Sequence, residues 1–243
     1  MEQIKAIFWI YKTSLVRTLE LVRSNLAIIL APIAYGLILS AAAMLAAPFG
    51  IIGGFVMGLV LAACASSGLY LIDNVVRMGK AIPQDFVKGV SVYLWDVLTI
   101  AFIFWIPMRL LAQFAVTTPE GAVIYLGVQI LLYIIFNPVP ELIYQSRVSG
   151  LALLSASYQF IVENWLEWLL PNLLVAVAGY LLRFWIYRLA APLPFFLQYF
   201  LLEAAFGLFL TFLMIFRGLL FAELHGTTRR SRAYRYRARS SSE

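Results

Sequence analysis

The sequence predicts an all-α fold, a polytopic membrane helix bundle of about six spanning helices with an N-terminal interfacial amphipathic helix. Three observations predict it. The 243 residues are 63% hydrophobic and only 12% charged, whereas soluble domains are near a quarter charged. Long runs carry no charge, the longest being the 49 residues between Arg23 and Asp73. Lysine and arginine also concentrate on one side of the predicted spans.

Residues 1–25 are predicted to form the interfacial helix. At 3.6 residues per turn, one face is apolar and carries Ile4, Ile7, Phe8, Tyr11, Leu15, Leu19 and Val22. The opposite face carries Lys5, Lys12, Thr13, Glu20 and Arg23. This pattern is typical of a helix on the inner leaflet. Packing on the protein's own cytoplasmic loops is an alternative that is compatible with it. The scattered charges disfavour a cleavable signal peptide, so we expect this segment to be retained.

The six-span membrane domain is predicted over residues 26–222. A spanning helix needs about 20 residues, so the first uncharged run holds two, with Pro48 and Gly50 in the hairpin between them. The predicted spans are 26–46, 51–72, 92–112, 121–143, 166–186 and 196–218.

The distribution of the 18 lysines and arginines predicts cytoplasmic N- and C-termini. With six spans, the inner side collects four in residues 1–25, three in 73–91, Arg147, and seven from Arg217 onward. Only Arg109, Arg183 and Arg188 fall outside. Five or seven spans would remove this asymmetry.

Residues 223–243 are predicted to be a basic, disordered cytoplasmic tail, because few of them are apolar. Its arginines suit anionic lipid: Arg229, Arg230, Arg232, Arg235, Arg237 and Arg239. Tyr234 and Tyr236 between them would also suit RNA, but lipid is the expected ligand and nucleic acid is not an expected partner.

Two segments of the chain repeat the same pattern. Thr18, Leu21, Val22, Asn25 and Pro32 align without gaps on Ser157, Phe160, Ile161, Asn164 and Pro171. In each copy an amphipathic segment ends in Asn, which is suited to cap the helix that follows. With a middle copy beginning near Pro83, the architecture becomes three helical hairpins, each introduced by a cytoplasmic amphipathic segment.

Two stretches of the chain resemble bacterial six-span membrane domains of unknown function. One is 151–157 with Phe160 and Asn164, and the other is the loop from Asp73 to Gly89. Similar domains also occur as the membrane domain fused to some glycerophosphodiester phosphodiesterases. The resemblance implies the architecture and a bacterial inner membrane location, but no activity, because no phosphodiesterase domain is present.

Ionisable residues within spans are costly and need a reason. Glu203 is the deepest acid in the last span, and Arg183 and Arg109 lie at comparable depth. We expect an intramembrane charge pair between Glu203 and one of them, either fixing helix register or forming an ion or proton site.

A second polar group is predicted at the cytoplasmic level, where Arg147 and Arg217 are the nearby bases. Its members are Asp96, Asn137, Pro138, Pro140, Glu141 and Glu167. Prolines free backbone carbonyls, which are tolerated at membrane depth only where protein or water covers them. The group therefore predicts a cytoplasmic cavity, the alternative being ordinary interface residues.

The second span carries small residues at four-residue spacing: Gly54, Gly58, Ala62 and Ser66. They line one face, so another backbone can approach closely. The approaching helix belongs either to this chain or to a partner.

No catalytic, cofactor-binding or metal motif is present. Cys64 and His225 are the only cysteine and histidine, which makes the usual zinc sites unattainable. We expect a non-enzymatic integral membrane protein, a membrane subunit or accessory factor of a larger membrane complex, with lipid and a membrane protein as partners. The alternative is a small-solute, lipid or ion transporter or channel.

Overall fold

A computed structural model describes residues 2–118, 120–146 and 148–240. Within these ranges the chain is helical and contains no strand. The α-helices are α1 (Glu2–Ser24), α2 (Leu30–Ala46), α3 (Gly50–Met78), α4 (Pro83–Val92), α5 (Leu94–Thr117), α6 (Gly121–Ile135), α7 (Val139–Gln145), α8 (Leu151–Ala190), α9 (Phe195–Leu224) and α10 (Arg229–Ser240). Two short 3-10 turns, Leu26–Ile29 and Ala47–Phe49, flank α2.

The chain is a helical membrane protein. Five stretches of the described residues are long and apolar enough to cross a bilayer: Leu26–Met78, Leu94–Thr117, Gly121–Gln145, Leu151–Ala190 and Phe195–Leu224. At most 22% of the most apolar part of each is buried within the protein. A surface this apolar requires lipid rather than water around it.

The first stretch has 53 residues, over twice what one crossing needs. The turn Ala47–Phe49 divides it, and Gly50 follows with a φ of 53° that side chains rarely adopt. Gly53 then lies so close to the end of α2 that a Cβ would be 2.0 Å from the Ala46 carbonyl oxygen. The break falls where Pro48 and Gly50 predicted it.

The helices group into two compact units. The first contains Met1–Ile38, Leu71–Pro83 and Asn164–Glu243. The second contains Leu39–Tyr70 and Gln84–Glu163. In the first unit, α1 packs along α9 and α10, whereas in the second α5 packs on α6.

The repeated pattern is visible in the backbone. Asn25 (φ −128°, ψ 39°) and Asn164 (φ −131°, ψ 18°) both interrupt the helix with nearly the same conformation. Tyr93, between α4 and α5, has it too (φ −113°, ψ 10°). The matched residues preceding the two asparagines, Thr18, Leu21, Val22, Ser157, Phe160 and Ile161, are all buried. A glycine with positive φ follows each of α3, α7 and α9, namely Gly79, Gly150 and Gly226.

The role predicted for the repeated asparagine is wrong at Asn25, whose side chain does not cap the helix that follows it. Its Nδ2 donates to the carbonyl oxygens of Leu21 (2.8 Å) and Gly79 (2.9 Å), and its Oδ1 accepts from the Ala81 N–H (3.0 Å). It therefore ties the start of its hairpin to the chain that leaves it.

Helix α1 has three faces. Its buried face combines the small or polar residues Ala6, Ser14 and Thr18 with the apolar residues Ile10, Leu21 and Val22. Much of the predicted apolar face stays exposed, with Ile4, Phe8, Leu15 and Leu19 between 42% and 67% accessible. Lys5, Lys12, Glu20 and Arg23 are exposed on a third side.

The prediction that the tail is disordered is wrong: Arg229–Ser240 form α10. A reciprocal cap begins the helix, since the Thr228 N–H donates to Ser231 Oγ (3.1 Å) and the Ser231 N–H donates to Thr228 Oγ1 (3.2 Å). Arginine is itself a good helix former. The clustered positive charge is offset by two acids outside α10, Glu167 of α8 and Glu223 of α9. Residues 241–243 lie outside the described ranges.

Candidate functional site

The main group of buried charge in the first unit surrounds Glu167, which is only 2% exposed. Arg229 binds its carboxylate with two N–H groups, Nε to Oε1 at 2.5 Å and Nη2 to Oε2 at 3.1 Å. Arg232 Nη2 lies 3.9 Å from Oε1. Arg232 Nη1 donates to Asn164 Oδ1 at 2.9 Å. We call these four residues, together with Tyr11, the Glu167 cluster.

Each member of the cluster is positioned by a feature of its own segment. The interruption of α8 at Asn164 frees that side chain to meet α10. Glu167 follows within one turn. Gly226, with φ 68°, reverses the chain after α9 so that α10 presents Arg229 and Arg232 to α8. From α1, the Tyr11 hydroxyl donates to the Glu167 carbonyl oxygen at 3.0 Å. The cluster therefore joins α1, α8 and α10.

Burial and charge shift the pKa values of three members. The hydrogen bond and charge of Glu167 raise the pKa of Arg229. Burial lowers the pKa of Arg232, partly offset by the charge of Glu167. Burial, and then the negative charge of Glu167, raise the pKa of Tyr11 to about 12. Tyr11 therefore stays a neutral donor at physiological pH.

An aromatic layer lies beside the cluster. Trp168 is fully buried, with the Arg217 guanidinium 5.2 Å from its ring centre and the Phe221 ring edge-on at 6.1 Å. His225 stacks on Phe221 at 4.8 Å. The single histidine thus packs against a ring. Among the described residues, no group of three or more His, Cys, Asp or Glu could hold a metal ion.

The Glu203 pair is not formed with Arg183 in the part of the chain that the structure describes. Arg183 is exposed and Glu203 half-buried, and no ion pair joins them. One turn beyond Glu203, a Cβ at Gly207 would lie 2.7 Å from the Ile29 carbonyl oxygen. Glu203 therefore lies on the face of α9 that meets the chain entering α2, and is turned away from α8. Arg109 is an exposed residue of the second unit.

The predicted cytoplasmic group divides between the two units. Glu167 belongs to the first, where its bases are Arg229 and Arg232. The remaining members belong to the second: Asp96, Asn137, Pro138, Pro140 and Glu141. The backbone break is confirmed, since α6 ends at Ile135 and α7 begins at Val139. Asn137 and Pro138 are buried and Glu141 is fully buried. A cavity there stays a prediction, and Arg147 lies outside the described residues.

The small-residue face of α3 is packed along only half its length. Ser66 Oγ donates to the Gly89 carbonyl oxygen (2.6 Å) and accepts from the Tyr93 N–H (2.9 Å). A Cβ at Gly89 would meet Ser67 Cα at 3.0 Å, so α4 lies directly against α3. Ala62 is also buried, whereas Gly54 and Gly58 are exposed with no atom near their missing Cβ.

The lipid-binding role expected of the six tail arginines stays a prediction, although two of them also have partners within the protein. Arg229 and Arg232 bind within the protein, and Arg232 is 3% exposed. Arg235 reaches Glu223 at 3.3 Å. Arg230 and Arg237 are exposed, whereas the side chain of Arg239 lies outside the described part of the chain. The sequence analysis did not predict the contact of Glu167 with α10, because Arg229 and Arg232 are 62 residues or more from it along the chain.

Comparison with known proteins finds no matching family model, curated protein or solved structure.

Proposed function

We propose that the chain is a non-enzymatic membrane subunit or accessory factor of a larger membrane complex in a bacterial inner membrane. The observation that carries the proposal is the Glu167 cluster. Its carboxylate is enclosed by two guanidinium groups and joins three helices. A catalytic or transport site needs a polar group accessible to its substrate, whereas this arrangement fits a scaffold.

The exposed half of the α3 small-residue face supports a partner in the membrane. Helices associate in lipid through close backbone contact, for which glycine is the preferred residue. Gly54 and Gly58 are exposed, and apart from the adjoining residues and backbone of α3 itself, no described atom lies within 4 Å of a Cβ built on either. Another transmembrane helix would fit along this part of α3.

The test of this function is purification of the chain from its native host in mild detergent, with and without Gly58→Leu. We expect a partner at fixed stoichiometry to be retained by the wild type and lost from the variant. Gly127→Leu is the matched control, because Gly127 of α6 also has no atom within 4 Å. A complex retained equally by all three chains would contradict this interface, and a monodisperse wild-type chain with no partner would contradict the function.

A transporter is the alternative, and one observation favours it. Glu141 is fully buried beside the break between α6 and α7, within a membrane-length apolar stretch. Broken helices with buried carboxylates are common at ion sites of transporters. Solute or proton flux by the purified chain in liposomes, abolished by Glu141→Gln, would establish this alternative.

We further propose six crossings, cytoplasmic termini and an interfacial α1. The division of Leu26–Met78 and the count of lysines and arginines support the first two. The three faces of α1 support the third, because protein, lipid and water meet only at the membrane interface. The same faces recur in the first part of α8, where Leu151, Tyr158 and Val162 are exposed and Leu153 is buried.

Single cysteines in a Cys64→Ala chain test this topology with a membrane-impermeant maleimide. We expect Lys12→Cys to react in inverted vesicles and Thr118→Cys in right-side-out vesicles. Phe8→Cys should be protected in both, because its side chain would lie in lipid. Labelling of positions 12 and 118 from one side would disprove six spans, and equal reactivity at positions 8 and 12 would disprove the interfacial helix.

A further inference from the structure

A cleft of about 190 Å³ lies between α8 and α9 of the first unit. Its walls are apolar and include Ala205 and Phe206 of α9. Its lining also includes Gly179, where the ring of Phe209 packs so closely that a Cβ would lie 2.1 Å from it. The two helices are thus in contact at Gly179, next to the open space.

Arg183 is the only charged residue that lines this cleft. It is exposed, and no acid within the described ranges pairs with it. Leu202 lines the cleft, and Glu203 lies about 100° around the helix from it. A guanidinium without an anion is costly within a membrane-length helix. Its long side chain can reach toward the headgroups, where an anion is available.

The position of Arg183 along α8 places its side chain near the lipid headgroups. It lies about 24 Å along the helix from Glu167, at 1.5 Å per residue, and so near the opposite membrane surface. Trp185, Tyr187 and Tyr199 are exposed at this end, as is typical of residues at the headgroup level. Arg183 is within about one turn of Trp185 and therefore within reach of a lipid phosphate.

We propose that this cleft binds an anionic phospholipid, with one acyl chain along its apolar wall and the phosphate on the Arg183 guanidinium. Arginine binds phosphate oxygens with two N–H groups at once, which makes the contact both strong and directional. The apolar lining selects an acyl chain, and the single positive charge selects a lipid with net negative charge. The inference is independent of the proposed function, since it requires only that α8 and α9 lie in a membrane.

Native mass spectrometry of the purified, delipidated full-length chain tests the proposal, using dioleoyl phosphatidylglycerol and dioleoyl phosphatidylcholine as probes. We expect phosphatidylglycerol to bind at one site about tenfold more tightly than phosphatidylcholine, because the choline cation beside the phosphate of phosphatidylcholine offsets the attraction to Arg183. Arg183→Gln should remove that preference. Ala205→Phe should weaken the binding of both lipids at this site, because it fills the cleft.

Arg188→Gln is the matched control. Arg188 lies on the same helix but stacks on the Phe184 ring at 4.9 Å and does not line the cleft. Its substitution should leave the preference intact. The proposal fails if Arg188→Gln and Arg183→Gln have equal effects, if Ala205→Phe binds both lipids as the wild type does, or if the wild type binds the two lipids equally. Lipid-free melting temperatures of the variants show that each is folded.

Discussion

Ending the chain at Thr228 is expected to lower the free energy of unfolding by about 3–5 kcal/mol, the cost of leaving one member of a buried ion pair without its partner. The truncation removes both arginines that bind Glu167, whose side chain is 2% exposed. It also removes Ala233, which is buried, and the contact of Tyr236 with Trp9. The measurement is the midpoint of unfolding in detergent.

A sign reversal distinguishes the ion pair from general packing. In the full-length chain, Glu167→Gln should destabilise the protein, because buried Arg232 loses its counter-charge. In the truncated chain the same substitution should raise stability, because it neutralises the orphaned carboxylate. Arg230→Gln, at an exposed arginine of α10, is the control and should change little. If the truncated and full-length chains have the same unfolding midpoint, the tail contributes nothing to stability. The prediction that it is disordered is then the better description.

The tail shows where composition fails as a predictor. Disorder follows from low apolar content when a segment has no partner. Ser231, Arg232 and Ala233 look like any other part of a basic linker. The helix they form contacts Glu167 of α8 and packs along α1, and no local window of sequence contains these partners. The predicted break at Pro138 and the turn at Pro48 were found because proline and glycine act on their own backbone.

Helix α1 shows a second limit of periodicity. The pattern correctly separates the apolar and charged residues, but the face that packs on the protein lies between them. Ala6, Ser14 and Thr18 pack because they are small, and they allow α1 to lie close to α9. In a membrane, apolar side chains gain little by choosing protein over lipid. Small residues therefore mark part of the contact face that apolar periodicity alone does not, beside the buried Ile10, Leu21 and Val22.

The predicted pairing of Glu203 with Arg183 is absent for a related reason, whereas the alternative pairing with Arg109 stays a prediction. Depth along a span can be counted from sequence, and Glu203 and Arg183 do lie at similar depth by that count. The direction of a side chain around its helix depends on which neighbours pack where. Gly207 places α9 against Ile29, which turns Glu203 away from α8. The depth of these charges can therefore be predicted from the sequence, but the side of the helix on which each one lies cannot.

Asn25→Ala is expected to cost about 2–4 kcal/mol of stability. The side chain of Asn25 is 4% exposed and makes hydrogen bonds to the Gly79 carbonyl oxygen and the Ala81 N–H. Each of these backbone groups loses its partner in the variant, which costs about 1–3 kcal/mol per group where water does not replace the side chain. The measurement is again the unfolding midpoint in detergent.

Two further substitutions make the Asn25 prediction specific. Asn25→Asp keeps the size and the acceptor for the Ala81 N–H, but it places a carboxylate oxygen against the Leu21 and Gly79 carbonyls. It should therefore be at least as destabilising as alanine. Thr13→Ala removes an exposed hydroxyl that bonds only within α1, to the Trp9 carbonyl at 2.9 Å, and should be nearly neutral. An Asn25→Asp chain as stable as the wild type would mean that Nδ2 does not hold the two ends of the first hairpin together.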